Sequence, residues 1–439
     1  MSLRLNALSK TIGLLNHMGG GNLGDDATQE AVIHNIRSRW PSASIFAFSM
    51  NPADTNVRHG IGSYPIRRRT WTLGAACTNS TSNFRSQVKA AAHLHPALFA
   101  ILRSFYSVGF KIPADLCAEV YFLAKSLRIL RSFGLLIISG GGQLTESRDG
   151  PWGFPYTIFK WIFLARLAQV KSVFLNVGAS PLPGPLSKYF IRTALSLADH
   201  VSFRDTRSAE LARHIGFRGS TPVFPDAVYS LKIDACPARR PAPQGQVNVG
   251  IAPMPYGLAP LYAVGNPHVY DSLIRSLAAL GSRLLAEKSR ITLFCTDIGV
   301  DPLSVGNLQR ELKNFTRLST DDLVSTAIPR STADLFCTMS AMDFVITCRF
   351  HGIIFAHLLN IPIIALSHHP KMTTLMDDLG LSRYCMDIKS LNSDNLTDRF
   401  FELVANAAQV KKQMSTKDSF YKDALAWEFD NLFPSSVGL

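Results

Sequence analysis

The residues with the most chemistry to offer stand together at Arg349-Phe350-His351-Gly352. They follow the apolar run Phe344-Val345-Ile346-Thr347, so they should lie where a buried strand ends and a helix begins. Arginine presents a planar fork that fits a carboxylate or a phosphate. The N–H groups of a helix start add to an anion site. His351 can donate a proton near neutral pH. His369 and Lys371, after the next apolar run, add positive charge, and no Asp or Glu occurs between Phe344 and Met376. A basic cluster without nearby carboxylates suits a ligand with two negative groups. The competing reading, a metal held by His351, His357, His368 and His369, lacks carboxylates and metal-ligand spacing.

Four other places share this strand-end position. Gly19-Gly20-Gly21-Asn22-Leu23-Gly24-Asp25 contains G-x-G-x-x-G, but Ser49-Met50-Asn51 stands where a dinucleotide site would place an acid, and Asp25 and Asp26 would repel a pyrophosphate. A tight turn that brings backbone close to a substrate is the better reading, with Gly21 and Asn22 at the contact and Asp25 as hydroxyl partner, base or plain helix-start carboxylate. Gly140, Gly141 and Gly142 follow Leu135-Leu136-Ile137-Ile138-Ser139, as a turn or as a backbone surface against a ligand. Arg204 ends the run Val201-Ser202-Phe203. Asp226, after Val223-Phe224-Pro225, reads equally as a helix cap or a cleft carboxylate.

Strand–glycine turn–helix–strand units must position these groups. The series from Thr11 through Asp25–Trp40 to Ile45–Phe48 implies a parallel sheet. A second series starts at Val247. Between them, Cys236-Pro237-Ala238-Arg239-Arg240-Pro241 has little to bury. The expectation is an α/β protein of two Rossmann-like domains facing a cleft, glycosyltransferase-B-like. Residues 1–235 form an N-terminal acceptor-side domain with a helical insertion at about 70–130. Residues 236–246 form a linker, 247–405 a C-terminal donor-side domain, and 406–439 a helical tail.

Composition narrows the partners. At 47% hydrophobic and 18% charged, the chain is globular. A net charge of +13 admits nucleic acid, an anionic membrane surface or small anions. The charge is dispersed, with no basic cluster longer than Arg67-Arg68-Arg69, which argues against nucleic acid. The seven cysteines are odd in number and form no C-x-x-C pair, so neither a disulfide framework nor a zinc site is expected. With no leader and no uncharged apolar run of about 20 residues, a cytoplasmic chain is expected. Peripheral contact with the inner face of a membrane stays open, and Leu94–Leu130 is either an interfacial element or a buried helical hairpin.

In order, Gly21-Asn22-Leu23-Gly24-Asp25, Gly140–Gly142, Arg204-Asp205-Thr206, Asp226, Arg349-Phe350-His351, His369-Pro370-Lys371 and Leu379-Gly380-Leu381 resemble the polysaccharide pyruvyl transferase family over about residues 11–390. Phe350 replaces the family's usual Leu. The resemblance implies a ketal pyruvyltransferase. Such enzymes move the pyruvyl group of phosphoenolpyruvate onto two hydroxyls of a sugar in a cell-surface polysaccharide or its lipid-linked precursor. It implies no cofactor and no metal, with phosphoenolpyruvate as donor held by Arg204, Arg349 and His351. His351 is then the candidate acid, and Asp25 or Asp226 the candidate base. Two other readings remain: a nucleotide-sugar glycosyltransferase of the same architecture, and a non-catalytic binding partner.

Overall fold

A computed structural model describes residues 11–16, 19–68, 112–146, 150–233, 246–258, 266–315 and 323–434. Two six-stranded sheets carry the chain, and every strand pair in both is parallel. The first contains β1 (Thr11–Leu15), β2 (Ser44–Ser49), β3 (Gly62–Pro65), β4 (Leu135–Ser139), β5 (Lys171–Val177) and β6 (His200–Phe203), in the order 3-2-1-4-5-6. The second contains β7 (Asn248–Ala252), β8 (Arg290–Phe294), β9 (Val324–Ala327), β10 (Phe344–Thr347), β11 (Ile363–Ser367) and β12 (Cys385–Asp387). Its order, 9-8-7-10-11-12, is the same topology repeated.

The crevice of such a sheet lies where the order reverses, outside the carboxyl ends of the strands. Here those points fall between β1 and β4 and between β7 and β10. The central strands β4, β10 and β11 are buried along their whole length, which is why their sequences are continuous apolar runs.

Helices cover both faces of the first sheet. On the face turned toward the second sheet runs α1 (Leu23–Arg39), whose Ala27, Val32 and Ile36 join the same apolar core as the β7–β12 sheet. Next to it comes α2 (Pro52–His59). The other face is covered by α3 (Ile112–Leu130), α4 (Phe154–Leu167) and α5 (Pro185–Leu197), and α6 (Thr206–His214) follows β6. In the second half come α7 (Pro267–Ala286), α8 (Pro302–Phe315), α9 (Thr332–Ser340), α10 (Phe350–Leu358), α11 (Pro370–Asp378) and α12 (Ser393–Ala405). Of the expected insertion, α3 is the described part. Residues 69–111 and 234–245 lie outside the described residues, and with them all of the expected 236–246 linker except Gln246.

The expected tail is one helix, α13 (Ala407–Leu432), and it returns to the first half. Asp430 accepts from Arg39 Nε at 2.8 Å, and the Trp40 indole donates to the Pro434 carbonyl at 3.0 Å. Glu428 is buried beside Ser202 and Asn176 of the first sheet. Burial pushes its carboxyl up to about 8, against the pull of those two neighbours. Unfolded, the group ionises near the ordinary glutamate value of 4.5. Its contribution is therefore full below that value and lost as pH rises toward 8. Tm should fall more steeply from pH 5 to pH 8 in the wild type than in Glu428→Gln, and parallel slopes would rule this out.

Candidate active site

Two halves meet at the carboxyl ends of the strands. The loop Gly21–Asn22 and the loop after β8 clasp backbone to backbone: Leu23 N–H donates to the Thr296 carbonyl at 3.0 Å, and Ile298 N–H to the Gly21 carbonyl at 2.9 Å. The Asn22 side chain caps α1, accepting from Gly24 N–H at 3.0 Å. The glycine loop thus serves as a hinge plate between the halves, with Gly21 and Asn22 already engaged.

Gly24, in the first turn of α1, packs directly on the His351 ring, and a Cβ there would occupy the ring's place. His351 itself lies in the first turn of α10, with Arg349 as N-cap residue. Its Nε2 lies 3.8 Å from Asp226 Oδ2. Asp226 resolves the two readings of its position by doing both. Its Oδ1 accepts from Val228 N–H at 3.1 Å and caps the short 3-10 helix Ala227–Ser230, while its Oδ2 faces His351 and Arg204, with Arg204 Nη1 at 3.4 Å. Burial would raise the Asp226 carboxyl, but His351, Arg204 and the Val228 N–H outweigh it and hold it at about 2. Its partners thus favour the ionised form.

Phe350 forms the floor. The Arg204 guanidinium carbon stands 4.3 Å from its ring centroid and Lys371 Nζ 5.5 Å, both within cation–π range. Arg204 also lies flat on Gly178, at the end of β5. Lys371 is at the start of α11, whose N-cap His369 accepts from Lys371 N–H at 3.2 Å. Burial and repulsion from Arg204 lower the Lys371 ammonium to about 8, with Asp25 pulling the other way. His369 is lowered to about 4 by burial and by the neighbouring cations Lys371, Arg207 and Arg204. Asp25 is raised by burial, against the pull of His351 and Lys371.

Arg349 corrects an expectation. Its own segment is free of acids, yet Asp301, fully buried, accepts from Arg349 Nε at 3.1 Å, and Asp297 Oδ2 lies 3.6 Å from Nη2. Both carboxylates come from the loop after β8, two strands over from β10 and some fifty residues upstream. Burial pushes the Asp297 carboxyl up to about 6, with Arg349 opposing and Asp301 adding to the rise. The same strand-end rule applied to Ile291–Cys295 would have found both. Gly178 was also missed, since nothing about one glycine after a strand marks it as the seat of an arginine 26 residues on.

The glycine triplet ends β4 in a turn. Gly140 and Gly141 take φ of +50° and +63°, a left-handed backbone that other residues enter at a cost. Gly141 accepts from Gly178 N–H at 2.8 Å, and a Cβ on it would stand 3.4 Å from Asp25 Oδ1. Gly142 has open space on its side-chain side. His357 belongs elsewhere, with Nε2 2.9 Å from the Met414 carbonyl of α13. Among the described residues, no three His, Cys, Asp or Glu side chains gather as metal ligands.

A cavity of about 240 Å³ opens on this cluster, lined by Arg204, Asp226, Phe350, Lys371, Phe420 and Tyr421. A larger groove, about 710 Å³, lies at the other end of the first sheet against Lys171, His200 and Trp427. It faces the amino ends of β5 and β6, where parallel sheets do not place their ligands. The smaller cavity, at the carboxyl ends and against three helix starts, is the candidate site; His351 is joined to it through Asp226 and is not itself part of the lining.

Residues 22–370 match the family model for polysaccharide pyruvyl transferases. The chain belongs to that family. The match spans Asn22, Asp25, Gly140–Gly142, Arg204, Asp226, Arg349, Phe350, His351 and His369; Gly21 and Lys371 border it, and Phe420 and Tyr421 lie beyond it. No curated protein matches the sequence. Among solved structures, UDP-GlcNAc 2-epimerase from Neisseria meningitidis, bound to UDP-GlcNAc, is similar at TM-score 0.56 and 10% identity, covering 96% of this chain and 98% of that one. HepE of Anabaena, in complex with UDP and glucose, is similar at TM-score 0.54 and 13% identity, covering 98% and 99%. At such identities the likeness is one of fold, and it is the two-domain α/β arrangement expected from the sequence.

Arg204 rests on Gly178, so a methyl group there should displace the guanidinium. Gly178→Ala should weaken binding of a small dianion such as inorganic phosphate at least tenfold, the effect of about 1.4 kcal/mol, with Tm nearly unchanged. Unaltered binding would mean that Arg204 does not hold anions.

Proposed function

We propose that this pyruvyl transferase takes phosphoenolpyruvate as donor and builds a cyclic ketal on two hydroxyls of one sugar. The observation that carries the reading is the meeting of Arg204, Asp226, His351 and Lys371 around Phe350, at the starts of α10 and α11. The donor carries a carboxylate and a phosphate. Arg204 and Lys371, with the N–H groups of the two helix starts, offer separate places for both.

His351 supplies a proton to the methylene carbon, which becomes the methyl group. A sugar hydroxyl then adds to the central carbon. The carbon–oxygen bond to phosphate breaks, and the second hydroxyl closes the ring. Of the two hydroxyl protons, one restores His351 and the other leaves with phosphate. Asp226, ionised and 3.8 Å from His351 Nε2, stabilises the charged imidazole before transfer. Asp25, raised by burial, is the better base of the two carboxylates and can relay a hydroxyl proton. Arg349, held by Asp301 and Asp297, orients the loop and adds its field rather than acting as an uncompensated cation.

Phe420 lines the cavity and is 63% exposed, so its ring is the one that suits a sugar face, and the acceptor is assigned to that side. A sugar nucleotide, as bound by the structural neighbours, would need a free carboxylate at the second half's strand ends for its ribose. The carboxylates after β8 are committed to Arg349. Incubation with phosphoenolpyruvate and a panel of glycans should give pyruvyl mass addition and equimolar phosphate. Glycosyl transfer from a sugar nucleotide, without pyruvyl addition, would overturn the reading.

A further inference from the structure

The face of the first sheet turned away from the second carries an exposed aromatic stripe that the chemistry above does not use. Trp152, Tyr156, Phe159, Phe163 and Leu167 follow one another at helical spacing along the start and length of α4. Their rings interlock with α5: Trp152 lies 5.7 Å and Phe159 5.1 Å from Phe190. The outer rim is left open, with Trp152 63%, Phe163 45%, Leu167 54% and Tyr189 49% exposed. Beside them α3 exposes Leu116, Val120 and Tyr121. Apolar residues scattered singly need no explanation, but a contiguous rim of this kind marks a contact surface.

Charge says what the contact is. From Gly150 to Ala198 the chain contains no Asp or Glu, while it carries Lys160, Arg166, Lys171, Lys188 and Arg192. Arg166 and Arg192 are exposed at the stripe's edge, and Arg192 stands 6.0 Å from the Tyr189 ring. The two nearest acids on α3 are already paired: Asp115 with Arg68, and Glu119 with Arg68 and Lys160. A second copy of the same face would set cations against cations. A surface that is apolar, aromatic and negatively charged would satisfy all of it.

We infer that the α4–α5 face docks on an anionic lipid bilayer, with the aromatic rims at headgroup depth and Arg166, Lys188 and Arg192 against the lipid phosphates. No helix among the described residues is long and apolar enough to cross a membrane, so the contact is interfacial. The inference deepens the proposed reaction, on which it rests only in that a lipid-borne sugar would be the acceptor met there.

Vesicle co-sedimentation tests it without turnover. The full chain should sediment with phosphatidylglycerol–phosphatidylcholine vesicles at low salt, several-fold less at high salt, and little with phosphatidylcholine alone. The double variant Phe163→Glu, Leu167→Glu should lose at least tenfold in partition, and Arg166→Glu with Arg192→Glu should remove the preference for anionic lipid. Both should keep the wild-type Tm and the wild-type turnover of a short soluble glycan. Three results would overturn the inference: partition unchanged by the variants, a large fall in Tm showing that the chain itself covers this face, or self-association that the variants abolish. Loss of turnover on every glycan with vesicle binding intact would instead count against the proposed reaction alone.

Discussion

His351→Gln should cut acceptor-dependent phosphate release by about 10²–10⁴-fold, the range for loss of a positioned acid. Glutamine keeps much of the ring's volume against Gly24, Phe350 and Phe355 but cannot deliver a proton. Donor binding, measured by calorimetry with phosphoenolpyruvate alone, should change far less than turnover. That split separates a proton donor from a residue that merely holds the anion. Equal losses in both would make His351 a binding group, and turnover near the wild-type rate would remove it from the chemistry. Asp226→Asn is the companion. It preserves the cap on Val228 N–H and removes the fixed charge beside His351 and Arg204, so it should lower kcat and leave Arg204 with Asp205 as its carboxylate.

The largest expected effect on stability lies at Asp301. This carboxylate is wholly buried and accepts from the backbone N–H of Thr296 at 3.3 Å and of Asp297 at 3.0 Å as well as from Arg349. Removing one member of a buried pair leaves the other charge uncompensated, at a cost of about 3–5 kcal/mol. Asp301→Ala should lose stability on that scale in urea unfolding. Asp297, which burial now holds up at about 6, would remain as the carboxylate beside Arg349 and should ionise more readily. A loss below about 1 kcal/mol would mean that water already screens the pair. Since the Asp297 loop also clasps Gly21, the same variant should loosen the two halves and raise the donor KM.

The central architecture was legible because central parallel strands are buried on both faces. Leu135–Ser139 and Phe344–Thr347 announce themselves as unbroken apolar runs. Edge strands have no such duty. Gly62–Pro65, Val324–Ala327 and Cys385–Asp387 are short, partly exposed and poor in large apolar residues, and none of the three stood out in the sequence. The site divides in the same way. His351, Arg204 and Asp226 could be named because each ends a readable strand. Their mutual distances could not, because pairing across halves depends on how two sheets face each other. Arg349 is the instructive case: the composition of its own segment described it as uncompensated, and tertiary structure supplied its partners from β8. Glycines were read as turn-makers, which fits Gly140 and Gly141. At Gly24 and Gly178 the need is for empty space beside a particular side chain, and no local pattern encodes that.

The return of α13 to α1 also sets an order of events during synthesis. Arg39 and its partner Asp430 are 391 positions apart, so the first half emerges from the ribosome long before the residues that close its surface exist. Domains made early generally fold early. Here the early half would wait with Trp40 and the pocket for Glu428 uncovered until α13 has been made. The cavity waits for the same helix, whose Phe420 and Tyr421 form part of its lining.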